Sequence, residues 1–523
     1  MDQPIESYDI IISGAGPTGL MLACQLARQG ANFLILDKKT GITNESRALV
    51  VQARSMEIYQ QMGLSEEVER EGEKSLGINF YRNGKRSGAV VLGNLGEGLS
   101  PFPYVMVYEQ NKNESLLYRD LQSKGKEVKW DSEITFMEEN NSGYSITIKQ
   151  STEGEKKYAC KYLVACDGSK SRVREFSGMP FQGGSYENVF YVADTHVKAN
   201  IAPYMLSFFL TKESLCMFFP MQGKDRFRVL GILPKEYYHR DNIHFEEVEK
   251  NTKAQVKMQI QFYDTQWYST YKLHHKKVIH FNQGNIFFAG DAAHVHSPAG
   301  GQGMNTGLQD AYNLAWKLSL VSKGHAGNAL LNSYHEERNP IAEDLLKSTD
   351  RLFGYMIKGE FFYAFVRQFL LPLALPLVAR YASLRKQLFL LVSQTAIHYM
   401  RSSLSKGKAG SIRAGRRFPP IILFENAEEI SAYDLIKRES KTPFLIIVYK
   451  LPAGEFLEID KDLFRIIEIP VNSANEQTLK GAGFPESFFA MVRPDNYIGY
   501  ISKKPEMNEF NQFMKTSYHL NGK

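Results

Sequence analysis

The chain has 523 residues, of which 43% are hydrophobic and 23% are charged, values close to those of average globular proteins. This composition excludes a mainly disordered, collagen-like or disulfide-stapled chain, and the length predicts two to four domains at about 150 residues each. The formal net charge is only +6, with no long basic run, so we expect no nucleic-acid partner.

The sequence holds four cysteines, Cys24, Cys160, Cys166 and Cys216. They form neither CxxC pairs nor a zinc-like cluster, which predicts a reducing compartment and no bound metal. The N-terminus carries acids where a signal peptide needs a basic start, so we expect a cytoplasmic protein. The apolar stretch 369–379 is broken by prolines and is well short of about 20 residues. It predicts a buried connector and no transmembrane segment, with peripheral membrane contact as the lesser alternative.

The N-terminal pattern predicts a βαβ unit. A β-branched run at 8–13 leads into a turn at 14–19, an amphipathic helix follows at 20–29, and a second apolar strand at 31–36 ends in Asp37. Further helices and strands are then predicted at 110–123, 133–137, 144–148 and 158–165.

The pattern changes at residue 179. From there to residue 280, alternating apolar positions and aromatic residues predict an antiparallel sheet inserted between two parts of a nucleotide domain. A strand at 286–289, a glycine-rich loop, a helix from about 306 to 322 and further helices to about 405 follow. The basic segment 406–417 is interpreted as a linker to a third unit. That unit has predicted strands near 444–449, 464–469 and 491–493.

The first chemical signal is the sequence GAGPTG, placed between a strand and a helix. Gly14 would make a tight turn, Gly16 would let a pyrophosphate approach the backbone, and Gly19 would allow the helix to pack closely on the strand. The helix N-terminus would then face the phosphates. Asp37, 18 residues after Gly19, would accept hydrogen bonds from an adenosine ribose. The residues assigned to this part of the cofactor site are Gly14, Gly16, Pro17, Thr18, Gly19, Asp37 and Lys38.

The second signal is the glycine-rich loop after the strand at 286–289. Asp291 would accept hydrogen bonds from the ribityl hydroxyls of a flavin, and the small residues of the loop would let its backbone approach a planar ring. The N–H groups at the following helix start would face the flavin N1–C2=O edge, which gains negative charge on reduction. The residues assigned here are Gly290, Asp291, Pro298, Gly301, Gly303, Met304 and Asn305.

With these motifs in order, residues 8 to about 340 resemble the FAD-dependent aromatic hydroxylases of the para-hydroxybenzoate and phenol hydroxylase type. The resemblance rests on GAGPTG, on Cys166-Asp167-Gly168 and on Gly290-Asp291. The tail from about residue 410 resembles, more loosely, the thioredoxin-like domain of larger members such as polyketide hydroxylases. It has no cysteine, so it cannot perform thiol redox chemistry.

The resemblance and the predicted elements together imply an α/β and α+β fold of three domains. A Rossmann-like FAD-binding domain with a helical connector comprises 1–73, 103–178 and 281–405. A substrate domain built on the inserted antiparallel sheet comprises 74–102 and 179–280. A thioredoxin-like domain lacking CxxC comprises 410–523.

Three more cofactor residues follow from the resemblance, each with a plainer alternative. Arg47 and Gln110 match family positions that touch the FAD, but Arg47 would also fit a solvated loop and Gln110 an ordinary helix start. Asp167 matches the acid of a motif serving FAD and pyridine nucleotide, but would also fit a turn before Gly168. His294 and His296 lie near the predicted flavin and do not make a metal site.

The activity implied by the resemblance is hydroxylation of a phenolic or polycyclic aromatic substrate. NADH or NADPH visits transiently and reduces FAD, which reacts with O₂ to a C4a-hydroperoxyflavin. We identify no catalytic base, and a homodimer is left open. The candidate walls of the substrate cavity are Phe208, Phe218, Phe219 and Phe227, with ordinary core packing as an equal alternative.

Four other flavoprotein activities can be compared with the motifs in the sequence. A disulfide reductase needs a redox CxxxxC motif and a flavin halogenase a WxWxIP-type motif, and the sequence has neither. A Baeyer–Villiger or epoxidising monooxygenase, and a flavin-binding partner protein without turnover, stay open.

Overall fold

The computed structural model describes residues 5–43, 48–91, 93, 95–211, 215–240, 242–297, 300–357, 361–378, 380–426, 428–435, 443–451 and 459–521. The strands are β1 (Glu6–Ser13), β2 (Phe33–Leu36), β3 (Val50–Val51), β4 (Glu73–Ser75), β5 (Gly77–Arg82), β6 (Lys85–Val91), β7 (Val105–Val107), β8 (Val128–Lys129), β9 (Glu133–Asn140), β10 (Gly143–Gln150), β11 (Gly154–Ala165), β12 (Phe181–Ala199), β13 (Met205–Leu210), β14 (Leu215–Pro220), β15 (Arg226–Ile232), β16 (Ile260–Val278), β17 (Asn282–Gln283), β18 (Ile286–Phe288), β19 (His294–Val295), β20 (Lys408–Ala409), β21 (Ile412–Arg413), β22 (Ile422–Glu425), β23 (Glu428–Ser431), β24 (Phe444–Tyr449), β25 (Phe464–Glu468), β26 (Phe488–Val492) and β27 (Ile498–Ser502).

The helices are α1 (Pro17–Arg28), α2 (Ala53–Met62), α3 (Ser65–Glu71), α4 (Gln110–Gln122), α5 (Arg172–Phe176), α6 (Phe245–Val256), α7 (Gly303–Ser322), α8 (Asn332–Ile357), α9 (Phe361–Phe365), α10 (Leu371–Val378), α11 (Ala382–Ser393), α12 (Ala432–Leu435), α13 (Ser473–Ala482) and α14 (Met507–Ser517). Short 3-10 turns occupy Lys235–Tyr237, Gly290–Ala292 and Asn328–Leu331, and a π-helical turn at Val366–Leu370 joins α9 to α10.

The first sheet has the order β17-β18-β11-β1-β2-β8, with β18, β11, β1, β2 and β8 parallel. The apolar run Ile10–Ile12 of β1 is fully buried at its centre, as expected for a strand covered on both faces. Helix α1 begins three residues earlier than the apolar pattern predicts, because Pro17 at its first position already has the backbone angle a helix needs. The β1–α1–β2 unit is confirmed.

The second sheet has the order β19-β16-β12-β15-β14-β13-β5-β6. Its neighbours are antiparallel except for β13 and β5, which run parallel. The long strands β12 and β16 carry the chain away from the first sheet and back to it. One face of this sheet packs on α6, and the other packs towards the first sheet and α8.

The C-terminal unit contains a four-stranded sheet in the order β25-β24-β26-β27. Strands β24 and β25 are parallel, while β26 is antiparallel to both β24 and β27. The segment 406–417, interpreted from sequence as a linker, is instead packed on this unit. It holds the β20–β21 hairpin, and Lys406 and Arg417 form bridges with Tyr500 and Tyr497.

A buried ionic network joins the C-terminal unit to α7 and α8. The Arg493 guanidinium lies 2.5 and 2.9 Å from the two oxygens of Glu337 and 2.6 Å from Asp495 Oδ2. Lys317 Nζ donates to Glu337 at 2.8 Å, and the indole N–H of Trp316 donates to Asp495 at 3.2 Å. Trp316 is therefore part of a core that is shared with the C-terminal unit.

This network shifts the pKa values of its members. Burial lowers the pKa of Lys317 to about 8, even though Glu337 opposes the shift. Burial alone would raise the pKa of Glu337, but Arg493 and Lys317 outweigh it and hold the pKa of that carboxyl well below its usual range. Burying any one of the four charged side chains without its partners would cost free energy of folding. These four are Lys317, Glu337, Arg493 and Asp495.

Candidate functional site

The three glycines of the turn after β1 have different surroundings. Gly14 has φ +104°, and a Cβ on it would meet the backbone of Cys166 and Asp167. A Cβ on Gly19 would collide with the carbonyl of Gly14. By contrast, no heavy atom lies within 4 Å of the Cβ position of Gly16. Gly14 and Gly19 therefore allow close packing, whereas Gly16 leaves open space in front of the α1 N-terminus.

Asp37 follows β2 and holds this turn in place. Its Oδ2 accepts a hydrogen bond from the Ala15 N–H at 2.6 Å, and its Oδ1 accepts one from the Lys39 N–H at 2.8 Å. A carboxylate has about four acceptor positions, so two are left for hydroxyl groups of a ligand. The neighbouring Lys38 is exposed.

Thr18 lies where the turn, the loop after β18 and helix α7 meet. A Cβ on Gly290, which has φ +59°, or on Gly307 would collide with the Thr18 hydroxyl. These two glycines therefore make room for Thr18, which locks α1 against the loop and α7. Asp291, which follows Gly290 in the loop, is exposed at the edge of this junction.

Helix α7 begins at Gly303, three residues before the predicted start. The first intrahelical bond runs from the Thr306 N–H to the Gln302 carbonyl at 2.9 Å. The preceding N–H groups, including those of Met304 and Asn305, thus have no intrahelical acceptor. They lie beside the loop glycine Gly301, which has φ +61°. Of the residues predicted in this loop, Pro298 lies outside the described residues.

The Asn305 side chain fixes the helix start to β3. Its Oδ1 accepts from the Gln52 N–H at 2.8 Å, and its Nδ2 donates to the carbonyls of Val50 and Gly301 at 2.8 and 2.9 Å. The side-chain amide is therefore engaged with the protein, and any ligand contact of Asn305 would be made by its backbone N–H.

Gln110 braces the loop that ends at residue 48. Its Oε1 accepts from the Ala48 N–H at 3.0 Å, and its Nε2 donates to Glu114 at 3.0 Å. From the second sheet, Arg228 donates to the Ala48 carbonyl at 3.3 Å and forms two 2.7 Å bonds with Asp194. Sequence reasoning missed this buried pair. Arg47 lies outside the described residues.

Asp167, at the end of β11, caps helix α5. Its Oδ2 accepts from the N–H groups of Arg172 and Val173 at 2.8 and 3.3 Å. Burial raises its pKa in spite of these bonds, and its Oδ1 is buried with no hydrogen-bond partner among the described residues. These bonds show that Oδ2 stabilises the turn that leads into α5, which is the plainer of the two roles expected for Asp167. A cofactor role for Asp167 stays a prediction.

A second buried network, also missed from sequence, supports the loop after β18. The Asp310 carboxylate lies 2.7 Å from His294 Nε2 and 2.7 Å from Arg338 Nε, and it accepts from the Gly290 N–H at 3.1 Å. Burial would raise the pKa of Asp310, but Arg338 and His294 outweigh it and hold the pKa below its ordinary value. The signal available in the sequence was an aspartate among the polar residues Asn305, Gln309, Asn313 and Lys317, which recur along one side of α7.

His296 lies next to this network. Its ring is nearly parallel to that of His294, with centroids 6.4 Å apart, and its Nδ1 lies 2.7 Å from the Ser297 carbonyl. The residue keeps some solvent exposure, but its Nε2 is buried and has no partner among the described residues. Burial lowers the pKa of His296 to about 4. The imidazole is therefore neutral at neutral pH.

The four phenylalanines predicted to wall a substrate cavity divide between the two faces of the second sheet. Phe208 packs against the core of the first sheet, and Phe219 packs with Leu49 and Val107. Phe218 and Phe227 belong to the opposite face, against α6, which agrees with the equal alternative of ordinary core packing. The physical reason for the division is the two-residue period of a strand, which sends neighbouring side chains to opposite faces.

Comparisons with known proteins agree with this geometry. Residues 7–349 match the family model described as FAD binding domain. The 12-dehydrotetracycline 5-monooxygenase/anhydrotetracycline 6-monooxygenase of Streptomyces rimosus is 30% identical over 504 residues, which is 94% of each chain. Pentachlorophenol 4-monooxygenase of Sphingobium chlorophenolicum is 29% identical over 364 residues, which is 67% of this chain and 65% of that protein.

Solved structures extend the likeness along the chain. OxyS anhydrotetracycline hydroxylase from Streptomyces rimosus has a TM-score of 0.81 at 25% identity, covering 99% of this chain and 100% of that one. The family match covers well over half of the chain, and the tetracycline-type relative aligns nearly end to end. The chain therefore belongs to the family of FAD-dependent monooxygenases that share this FAD-binding domain.

Proposed function

We propose that the chain is an NAD(P)H-consuming, FAD-dependent monooxygenase that hydroxylates a phenolic or polycyclic aromatic substrate. The observation that carries the proposal is the meeting of three ligand-ready elements at Thr18: the open turn at Gly16, the loop at Gly290-Asp291 and the start of α7. The polycyclic alternative is favoured by the relatives that span the chain, among them a 6-methylpretetramide 4-monooxygenase matched over 95% of this chain.

The residues at this junction fit FAD. The empty space at Gly16 suits a pyrophosphate facing the α1 N-terminus, and Asp37 keeps acceptor positions for ribose hydroxyls. The exposed Asp291 suits the ribityl chain, and the N–H groups at the α7 start suit the pyrimidine edge of the flavin. The proposed FAD residues are Gly14, Gly16, Pro17, Thr18, Gly19, Asp37, Lys38, Arg47, Gln110, Asp167, Gly290, Asp291, Pro298, Gly301, Gly303, Met304 and Asn305.

The chain would orient the reactants and exclude water. When bound and reduced, FAD supplies the oxygen-activating chemistry, with O₂ as co-substrate and NADH or NADPH as a transient reductant. The α7 N-terminus would stabilise negative charge at the flavin edge, and the neutral His296 beside Gly303 adds no positive charge of its own. The aromatic face that contains Phe208 and Phe219 would close the site to solvent. We assign no catalytic base.

The C-terminal unit is proposed to be a thioredoxin-like module at 410–523 with a structural role. The sheet order, with a central strand parallel to one neighbour and antiparallel to the other, supports this comparison. The four cysteines are all buried and lie outside this unit, so the proposed role is packing against α7 and α8. The remaining boundaries are proposed at 1–73, 103–178 and 281–405 for FAD binding and at 74–102 and 179–280 for the substrate.

The decisive experiment measures oxidation of NADH and NADPH by the FAD-loaded protein with a panel of phenols and polycyclic aromatics under ¹⁸O₂. The expected result is faster coenzyme oxidation with one compound class and a product that carries one labelled hydroxyl oxygen. A labelled ester or epoxide would instead show the Baeyer–Villiger or epoxidising alternative. Tight FAD binding without any product across the panel would favour the flavin-binding partner protein.

Binding of FAD has its own test. The protein should purify yellow with roughly one FAD per chain. Replacing Asp291 by alanine should weaken FAD binding by about 1.5–3 kcal/mol for each charge-assisted hydrogen bond lost, and Asp291→Asn should lose less because its amide oxygen still accepts. Equal FAD affinity in all three proteins would show that the ribityl assignment is wrong.

A further inference from the structure

An exposed apolar surface lies on α9, α10 and α11 and on the turns that join them; we call it the connector surface. Its large side chains are between 42% and 66% exposed: Phe362, Phe369, Leu373, Leu377, Tyr381 and Leu391. A monomeric soluble protein normally buries side chains of this size, so a contiguous set indicates an interaction site.

The connector surface does not have the shape of a membrane span. In the part of the chain that the structure describes, no single helix is long and apolar enough to cross a bilayer. The helical stretches Phe362–Leu377 and Ala382–Ser393 satisfy the length and composition only as a pair, and they are bent by 119°. The exposed Arg380 lies between them. This geometry suits helices lying in an interface.

The charge of the connector surface is predominantly positive. The sequence from 361 to 424 contains ten lysines and arginines and no aspartate or glutamate. Four of the basic residues belong to the connector itself: Arg367 is buried, Arg385 is half-buried, and Arg380 and Lys386 are exposed. The helices of the connector surface carry only positive charge, and the exposed Glu97 beside Gly96, which packs on Phe389 of α11, is an acid at its edge. A predominantly basic apolar surface matches an anionic phospholipid interface, where each basic residue near the headgroups adds to binding.

The β5–β6 hairpin extends this surface. Gly88 packs directly on Pro372 of α10, since a Cβ on it would meet the Pro372 carbonyl. The Arg82 guanidinium lies 4.3 Å from the centre of the Phe369 ring, and the hairpin also carries the exposed Lys85 and Arg86. Basic groups therefore flank the apolar helices from two separate parts of the chain.

We propose that the connector surface is a peripheral membrane-binding site for anionic phospholipid. A second copy of the chain is the less suitable occupant, because a symmetric contact would bring the same basic groups of both copies together, and like charges at close range are destabilising. A phospholipid bilayer satisfies both features at once, with acyl chains under the apolar side chains and anionic headgroups beside the basic ones.

The test is flotation of the FAD-loaded protein with vesicles of equal parts phosphatidylglycerol and phosphatidylcholine, compared with pure phosphatidylcholine vesicles. We expect binding to the anionic vesicles in low salt and its loss in 0.5 M salt or on the neutral vesicles. The double variant Arg385→Glu/Lys386→Glu should lower the partition coefficient by about 30-fold or more, since each basic residue contributes about fivefold.

Apolar and control variants complete the test. Leu373→Ser/Leu391→Ser should also lose vesicle binding, and both side chains are exposed enough that the fold does not depend on them. The matched control is Lys149→Glu/Lys157→Glu, which makes the same charge change on the exposed β10–β11 hairpin and should bind like the unmodified protein. Each variant is accepted only with an unchanged FAD spectrum and melting temperature.

Three results would overturn the proposal. The first is a protein that does not float with anionic vesicles in low salt. The second is an equal loss of binding in the control and the connector variants, which would mean that only net charge matters. The third is a dimer, seen by sedimentation velocity, that Leu373→Ser/Leu391→Ser converts to monomer without any vesicle binding; the connector surface would then be covered by a second copy.

Discussion

The two ends of helix α7 face opposite surroundings. At its N-terminus, the loop glycines, the backbone N–H groups without an intrahelical acceptor and the exposed Asp291 lie near the turn at Gly16, which has open space in front of it. Thirteen residues after Gly303, Trp316 and then Lys317 enter a closed network in which Glu337 and Arg493 are fully buried. One end thus keeps its hydrogen-bonding capacity for a ligand, whereas the other end uses it within the protein.

This contrast has an energetic meaning. A buried charge is stable only while its partners are present, so removing one partner from the tail network should cost stability whether or not a ligand is bound. The flavin end gains stability only by mass action when the ligand binds. Changes at the two ends should therefore separate cleanly into folding defects and binding defects.

The largest effect is expected from deleting residues 410–523. The deletion removes Arg493 and Asp495, so Glu337 loses its arginine partner, the buried Lys317–Glu337 pair is opened to water and Trp316 is uncovered. We expect an insoluble protein or a strongly lowered melting temperature. A chain that ends at Asn521 is the matched control and should melt like the full chain. A soluble truncated protein with unchanged melting would contradict the packing role.

A smaller folding defect is expected from Arg493→Met. The substitution keeps most of the side-chain volume but leaves Glu337 and Asp495 as buried carboxylates, and breaking such a network costs about 3–5 kcal/mol. Urea unfolding of the FAD-free and FAD-loaded proteins should show the same loss in both. The exposed Arg465 of the same unit gives the control Arg465→Met, with an expected change within about 0.5 kcal/mol. A loss seen only with FAD bound would argue against the contrast drawn above.

A binding defect without a folding defect is expected from Gly16→Ala. The added methyl group has room in the FAD-free protein but occupies the space proposed for the pyrophosphate, so the Kd for FAD should rise about tenfold or more. Melting of the FAD-free protein should not change. Gly19→Ala should instead lower the melting temperature of the FAD-free protein, because its methyl group collides with the Gly14 carbonyl.

The control for this pair is Gly481→Ala. Gly481 lies exposed on α13, and its Cβ position is also free of neighbours, so neither FAD affinity nor melting should fall. If Gly16→Ala kept full FAD affinity while folding normally, the pyrophosphate would have to lie elsewhere.

The difference between the two ends also explains what the sequence could predict. The flavin end is built from residues that are close together in the sequence. The glycines of the turn, Asp37 and the loop after β18 belong to short motifs, and the turn–helix pattern predicts their positions. The start of α7 was missed by three residues because Gly303 and Met304 break the apolar period. Only the backbone angles of the loop show that the helix begins there.

The closed networks are not local. Glu337 and Arg493 are 156 residues apart, and Arg338 reaches Asp310 across 28. A charged residue inside a helical pattern predicts an exposed helix face unless its ion-pair partner is known. Sequence periodicity cannot identify a partner that lies in another unit of the chain. The segment 406–417 was interpreted as a linker for the same reason, because its glycines fit close packing as well as flexibility.

An effect of pH alone is expected at His296, at the flavin end, and it appears only in acid. In the folded protein burial holds the pKa of His296 at about 4, whereas an unfolded chain has a histidine pKa of about 6.5. Above pH 6.5 both states are neutral, and the group contributes nothing to the pH dependence. As the pH falls from 6.5 towards 4, the unfolded state takes up the proton first, so the free energy of unfolding decreases. Allowing for the partial exposure of the ring, we expect a loss of about 2 kcal/mol over this range.

The measurement is urea unfolding of the FAD-loaded protein and of His296→Gln at several pH values between 7 and 4.5. The variant should lose less stability than the parent across this window, because its amide does not titrate. Carboxylates such as Asp310, whose pKa is held low, lose their contribution only at lower pH, and the other histidines are common to both proteins and cancel in the difference. His239→Gln, on an exposed residue, is the control and should keep the parent's slope. If the free energies of unfolding of the parent and of His296→Gln fell in parallel with pH, the imidazole would take up its proton as readily in the folded protein as in water. The flavin end would then be more hydrated than its geometry indicates.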